Sequence, residues 1–204
     1  MVERQRADAR RNYERILAVA EEEVAARGAD ASLEQIARVA GVGSATVRRH
    51  FPTRRALLEA VSQHRIEALC ARARELDARK GDDGDDDSGK GDGRKGDGRE
   101  ALLEWLGDVV AYCVTARGLA AALSYDEGHD PVGGNSCAAA LIEAGEPLLR
   151  GAAREGAVTP KVTVEDLITL AVGLALATEH HPDPTARADA LLGLAVAGIS
   201  PERD

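Results

Sequence analysis

Apolar residues recur along this chain at helical spacing, and polar punctuation divides them into segments. Tyr13, Ile16, Leu17, Ala20 and Val24 fall at i, i+3, i+4, i+7 and i+11, which predicts a helix over about 7–27. Gly28 follows, where a residue free to turn left-handed would end it. Ser32 and Gln35 have capping-box spacing and open a second helix with Leu33, Ile36, Ala37 and Ala40 inward. Gly41-Val42-Gly43 breaks the pattern, and Ser44 is placed to cap a short third helix through about Phe51. Pro52 follows, and Thr53 can cap a fourth helix, Arg54 to about Arg79, with Leu57, Leu58, Val61, Leu69 and Leu76 inward.

Residues 81–99 then read GDDGDDDSGKGDGRKGDGR. With seven glycines, seven aspartates and no hydrophobic residue, this stretch cannot bury enough surface to offset its ordering entropy. It is expected to be a disordered acidic loop. Its aspartates lack the glutamate at loop position twelve that an EF-hand calcium site needs. Helical spacing resumes over about Glu100–Thr115 and Leu119–Tyr125. A loop is expected at 126–134, then a long helix over Ser136–Glu155 with Pro147 inside it, where proline should kink it. The last two helices, about Val164–His180 and Thr185–Ile199, contain LITLAVGLALAT and ALLGLAVAG. Helices apolar on most faces need more than one neighbour, and in a chain this small a partner subunit is the expected second one.

Composition supports an all-α fold. Hydrophobic residues make up 44% but aromatics only 2%, so the core must come from Ala, Leu, Val and Ile, and Ala and Leu are good helix formers. No run of eighteen apolar residues predicts a membrane span, and the charged N-terminal segment lacks a signal-peptide pattern. A cytoplasmic location is expected. Cys70, Cys113 and Cys137 are widely spaced, which suits small buried hydrophobes better than a disulfide framework. His129, Cys137, His180 and His181 show no HxxxH or CxxC spacing, so neither a metal site nor a cofactor is expected. No nucleophile-elbow, Walker or zincin motif points to catalysis, and no catalytic residue is assigned.

Charge changes the picture. The net charge is −9 over the whole chain, yet residues 1–80 carry 16 Lys+Arg against 12 Asp+Glu, while 81–204 carry 10 against 23. Between Gln35 and Leu58 there are five arginines and no acid. Polyanions respond to the local field, so a basic end on an acidic protein is directed toward phosphates. The basic stretch coincides with SLEQIARVAGVGSATVRRHFPTRRALLEAV, residues 32–61, which reads as helix, glycine turn, helix, stop and helix. Two short helices joined by a tight turn can present the second to a major groove about as wide as a helix. Val42, Val47 and Phe51 would hold that helix inward, leaving Thr46, Arg48, Arg49 and His50 on or near its outer side.

This stretch resembles the TetR family, whose signature combines "IA..AGVS" with "TLY.HF..K..LL". The matching positions are Ile36-Ala37, Ala40-Gly41-Val42, Thr46-Val47, His50-Phe51, Thr53 and Leu57-Leu58, with Tyr13, Ile16, Leu17, Ala20 and Gly28 before them. Arg48 stands where the family usually has tyrosine, Arg54 where it has lysine, and Gly43 where it has serine. Arginine supplies a fixed charge at positions 48 and 54, and at 48 it replaces an aromatic packing contact with a cation.

The resemblance implies a helix-turn-helix DNA-binding domain over 1–53 and a helical ligand-binding and dimerisation domain over 54–204. It implies that Ser32 and Arg54 hold phosphates, that Ser44, Ala45, Thr46, Arg48 and Arg49 face the groove, and that His50 approaches the backbone. It further implies a homodimer joined by the last two helices, a pseudo-palindromic double-stranded operator and a small-molecule effector that releases a repressor. Trp105, Tyr112 and Tyr125 are the large groups available to line an effector pocket, with ordinary core packing as the alternative. The alternative is a DNA-binding scaffold or nucleoid-type factor without such a switch.

Overall fold

A computed structural model describes residues 2–82, 97–124 and 134–199. Their elements are all helical: α1 (Val2–Arg27), a 3-10 turn (Gly28–Asp30), α2 (Leu33–Val39), α3 (Ser44–His50), α4 (Arg54–Asp82), α5 (Asp97–Ser124), α6 (Gly134–Arg154), α7 (Val164–Ala177) and α8 (Pro184–Ile199). Two compact units divide the chain, one running to Arg65 and joined by the end of α5 from Thr115, the other built from the rest.

The first unit is closed by a single apolar cluster. Ile16, Leu17, Ala20 and Val24 of α1 meet Ile36 and Ala37 of α2, Val47 of α3, Phe51, and Leu57, Leu58 and Val61 of α4. Ile16, Ile36 and Leu57 are wholly enclosed, and each such side chain contributes about 1.5–3 kcal/mol relative to exposure. Leu57, Leu58 and Val61 lie beyond the boundary expected at residue 53, so this core continues into the fourth helix.

The second unit is built around Trp105, fully enclosed and donating its indole N–H to the Leu69 carbonyl at 3.1 Å. Leu76, Val109, Val110, Leu148 and Val164 belong to the same cluster. Gly145 of α6 lets the ring approach: a methyl group there would lie 2.6 Å from Trp105 Cη2. The helix α6 contains Pro147, as expected. It ends at Gly156 (φ +70°), where the Ala157 and Gly156 N–H groups donate to the Ala152 and Ala153 carbonyls, both at 3.0 Å. This pair of bonds is a Schellman cap.

Several boundaries differ from expectation. Residues 81–82 and 97–99, expected in the acidic loop, are helical, while 83–96 lie outside the described residues. α5 begins upstream because the Glu155 carboxylate accepts from the Gly98 and Arg99 N–H groups at 2.7 and 3.1 Å. A residue more than fifty positions away thus supplies acceptors at the start of this helix. The expected break between Thr115 and Leu119 is absent; Gly118 lies within one continuous helix, a cost of about 1 kcal/mol that a long helix tolerates. Cys70 and Cys113 are half-buried at the edge of this core rather than buried, and burial pushes the pKa of the Cys113 thiol above its ordinary value. Cys137 falls outside the side chains described.

Candidate nucleic-acid interface

Each end of the helix–turn–helix segment has a physical cause. The Ser32 hydroxyl accepts from the Gln35 N–H at 3.3 Å, as the sequence predicts. The reciprocal bond comes from elsewhere: the Ser32 N–H donates to Glu23 of α1 at 3.3 Å, and Glu23 also pairs with Arg27 at 2.6 Å. At its other end α2 closes on Gly41 (φ +64°). The Val42 N–H donates to the Ala37 carbonyl at 3.0 Å and the Gly41 N–H to that of Arg38 at 3.3 Å, a second Schellman cap. Any residue with a Cβ would be strained at that φ, so this glycine fixes the turn.

The N-cap of α3 is Gly43, with no side-chain cap, and Ser44 is the first helical residue. The cap expected from Ser44 is therefore corrected by one position. What holds α3 in place is burial. Val47 and Phe51 are 1% and 2% exposed, and Val42 packs at the cluster's edge. Tyr13 of α1 stacks on Phe51 with ring centroids 5.3 Å apart and meets His50 edge-on at 5.8 Å. The side chain of Thr53 caps α4 through the Ala56 N–H at 3.0 Å, as expected.

With Val47 inward, Ser44, Ala45, Arg48 and Arg49 are exposed, and Thr46 and His50 are half-buried. Arg48, Arg49 and His50 occupy the last turn of α3, where the helix dipole favours cations. Arg54 donates to the Ala31 carbonyl at 2.7 Å, which brings its guanidinium beside the start of α2, next to Ser32. The two residues assigned to phosphates therefore stand together. Arg48 is not wholly free: it pairs with Glu34 of α2 at 3.4 Å, and the Ser32 hydroxyl lies 3.4 Å from the other oxygen of the same carboxylate. Sequence reading missed Glu23 and Glu34. The contacts that matter, Glu23 to Ser32 and Glu34 to Arg48, are nine and fourteen residues apart, and no spacing rule announces them.

The residues expected around an effector are placed as follows. Trp105 is enclosed, Tyr112 is half-buried against the second core, and Tyr125 lies outside the described residues. A recess of about 30 Å³ in the same unit is lined by Leu102, Leu103, Leu106, Val158 and Leu167 among others. Effector pockets are usually about ten times larger or more. Among the described residues no cluster of His, Cys, Asp or Glu could hold a metal, and no helix is long and apolar enough to cross a membrane.

A short helix held outward by a glycine turn, buried on one side and basic on the other, defines a helix-turn-helix DNA-binding protein. Comparison with known proteins gives the family. Residues 16–61 match the profile of bacterial regulatory proteins of the tetR family, and residues 97–201 match that of the SbtR-like transcriptional regulator C-terminal domain. The chain is 31% identical to the TetR transcriptional regulator SCO0520 from Streptomyces coelicolor, over 94% of this chain and 99% of that one, with a TM-score of 0.71. It is also 31% identical to a TetR regulatory protein from Mycobacterium vanbaalenii, over 96% and 99%, with a TM-score of 0.67. A TetR-family regulator from Pectobacterium atrosepticum, 18% identical over 98% and 99% at a TM-score of 0.60, shares the fold. No curated protein matches the sequence. The chain belongs to the TetR family of transcriptional regulators.

Proposed function

We propose that this regulator is a cytoplasmic homodimeric repressor that binds a pseudo-palindromic operator and is released by a small-molecule effector. The observation that carries the DNA assignment is the outward face of α3. Ser44, Ala45, Thr46, Arg48 and Arg49 meet the major groove, His50 approaches the backbone, and Ser32 and Arg54 hold phosphates. Arg49, exposed on that face, is the principal base reader. A bidentate arginine–guanine contact discriminates by about 1–3 kcal/mol.

Support for the dimer comes from α7 and α8. Val172, Leu176 and Leu194 are 43%, 55% and 68% exposed, and Gly173 and Gly193 have open space where a Cβ would stand. Large exposed aliphatic groups beside glycines suit close helix–helix approach by a second copy. A two-fold pair would present two α3 helices about 34 Å apart, one DNA turn.

The effector reading rests on family membership and places Trp105, Tyr112 and Tyr125 around the site. A regulator without a switch is favoured by one observation, the close packing of Trp105 against Gly145. Effector binding would weaken DNA affinity and DNA would weaken effector affinity by the same factor.

The deciding experiment sequences the genomic fragments that the purified protein retains, then measures binding to the recovered duplex. Arg49→Ala should weaken it and relax base preference, whereas Arg54→Ala should weaken all duplexes alike. If neither variant changes binding at moderate salt, the assignment of this face is wrong.

A further inference from the structure

We infer that Glu34 is a specificity-determining residue: its single carboxylate competes with DNA for Arg48 and Ser32 and so tempers the discrimination between cognate and non-cognate sites. The inference rests on the DNA face assigned above. Glu34 sits in the first turn of α2, one oxygen 3.4 Å from the Arg48 guanidinium and the other 3.4 Å from the Ser32 hydroxyl. These partners are a groove-facing cation and a phosphate-holding hydroxyl, on two different elements. Glu34 is also the residue that bounds the acid-free stretch from Gln35 to Leu58. An acid set directly beside a DNA-binding arginine has two consequences. It repels phosphates, and it gives Arg48 a partner that any duplex must replace.

The consequence is selective. A non-cognate duplex offers Arg48 only phosphate, whose attraction is largely screened at physiological salt. A cognate duplex offers directed acceptors on base edges as well. A contact that forms only weakly loses little when Glu34 competes for the arginine, whereas a strong one loses nearly the whole factor. Competition from Glu34 therefore lowers cognate binding by a larger factor than non-cognate binding. Both side chains of the ion pair are largely exposed, 64% and 71%, so the competition is modest. Exposed pairs of this kind correspond to a change of about two- to fivefold in an equilibrium constant.

The test uses the full-length protein, a duplex selected from retained genomic fragments, and a shuffled duplex of equal length. Glu34→Gln should tighten binding to the selected duplex by about two- to fivefold, tighten the shuffled duplex less, and so raise the ratio between them. In an Arg48→Ala background the same substitution should leave the ratio between the two duplexes almost unchanged, because phosphate repulsion acts on both alike. Glu22→Gln, on α1, removes an equal charge elsewhere in the first unit and serves as the control. The inference is overturned if Glu34→Gln and Glu22→Gln change the ratio alike, or if the change in ratio survives loss of Arg48. Arg49→Ala and Arg54→Ala separate the two levels. If they weaken DNA binding while Glu34→Gln is silent, only the role of Glu34 fails; if they too are silent, the DNA face itself is wrong.

Discussion

Replacing Gly145 by alanine tests whether the second unit is held by the packing of its one tryptophan. Two effects of opposite sign compete. Gly145 lies inside α6, where alanine is favoured over glycine by about 1 kcal/mol. Its new methyl group, however, would stand 2.6 and 2.7 Å from Cη2 and Cζ3 of Trp105 and 2.8 Å from Cγ1 of Val164. Ordinary carbon contacts are about 3.5–4.0 Å. The ring has little room to retreat, being fully enclosed and tethered by its bond to Leu69. Three contacts this short belong at the upper end of the overpacking range, about 3 kcal/mol. The net loss is then about 2 kcal/mol, and the melting temperature should fall by about 4–8 °C. Gly107 of α5 provides the opposite case, with open space where its Cβ would stand; alanine there should stabilise by up to about 1 kcal/mol. Thermal and urea denaturation followed by Trp105 emission measures both. Equal stabilisation by the two substitutions would refute the packing argument, since only helix propensity would then be at work.

Other consequences are equally direct. Glu155→Ala removes the acceptor for two N–H groups at the start of α5 and should cost about 1 kcal/mol, the usual worth of an N-cap; Glu155→Gln, which keeps one oxygen, should cost less in the same urea titration. The Thr163 hydroxyl and N–H donate to Asp166 and hold its pKa below the ordinary value. A depressed carboxylate pKa adds stability above the unfolded-state value of about 3.9 and loses it as pH falls through the folded value. The stability gap between the wild type and Asp166→Asn should therefore persist at neutral pH and close on acidification below about pH 4; a gap independent of pH would contradict the capping role. Leu194→Glu places a charge at a leucine of α8 that is 68% exposed. It should yield monomers by light scattering, and an unchanged mass would move the dimer interface elsewhere.

Much of this protein could be read from its residues in order. The stripe from Ile16 to Val24, the Ser32 and Thr53 caps, the glycine at position 41 and the inward Val47 and Phe51 all follow from short-range rules. Helical periodicity, capping and turn chemistry act within about four residues, so a linear reading sees them. The same is true of the basic interval from Gln35 to Leu58, which sets the sign of the charge on that face before any fold is known.

What tertiary structure decided lies in contacts between distant positions. Glu155 starts α5 upstream of where its own residues would. Glu23 completes the cap that Gln35 was expected to complete, and Arg54 is turned onto the Ala31 carbonyl beside Ser32. Trp105 becomes a packed core residue because Gly145 of α6 leaves room for its ring. Glu34 reaches across to Arg48 because the Gly41 turn brings α2 and α3 together. Each of these partners is chosen by chain folding in space, and separation along the sequence carries no trace of it.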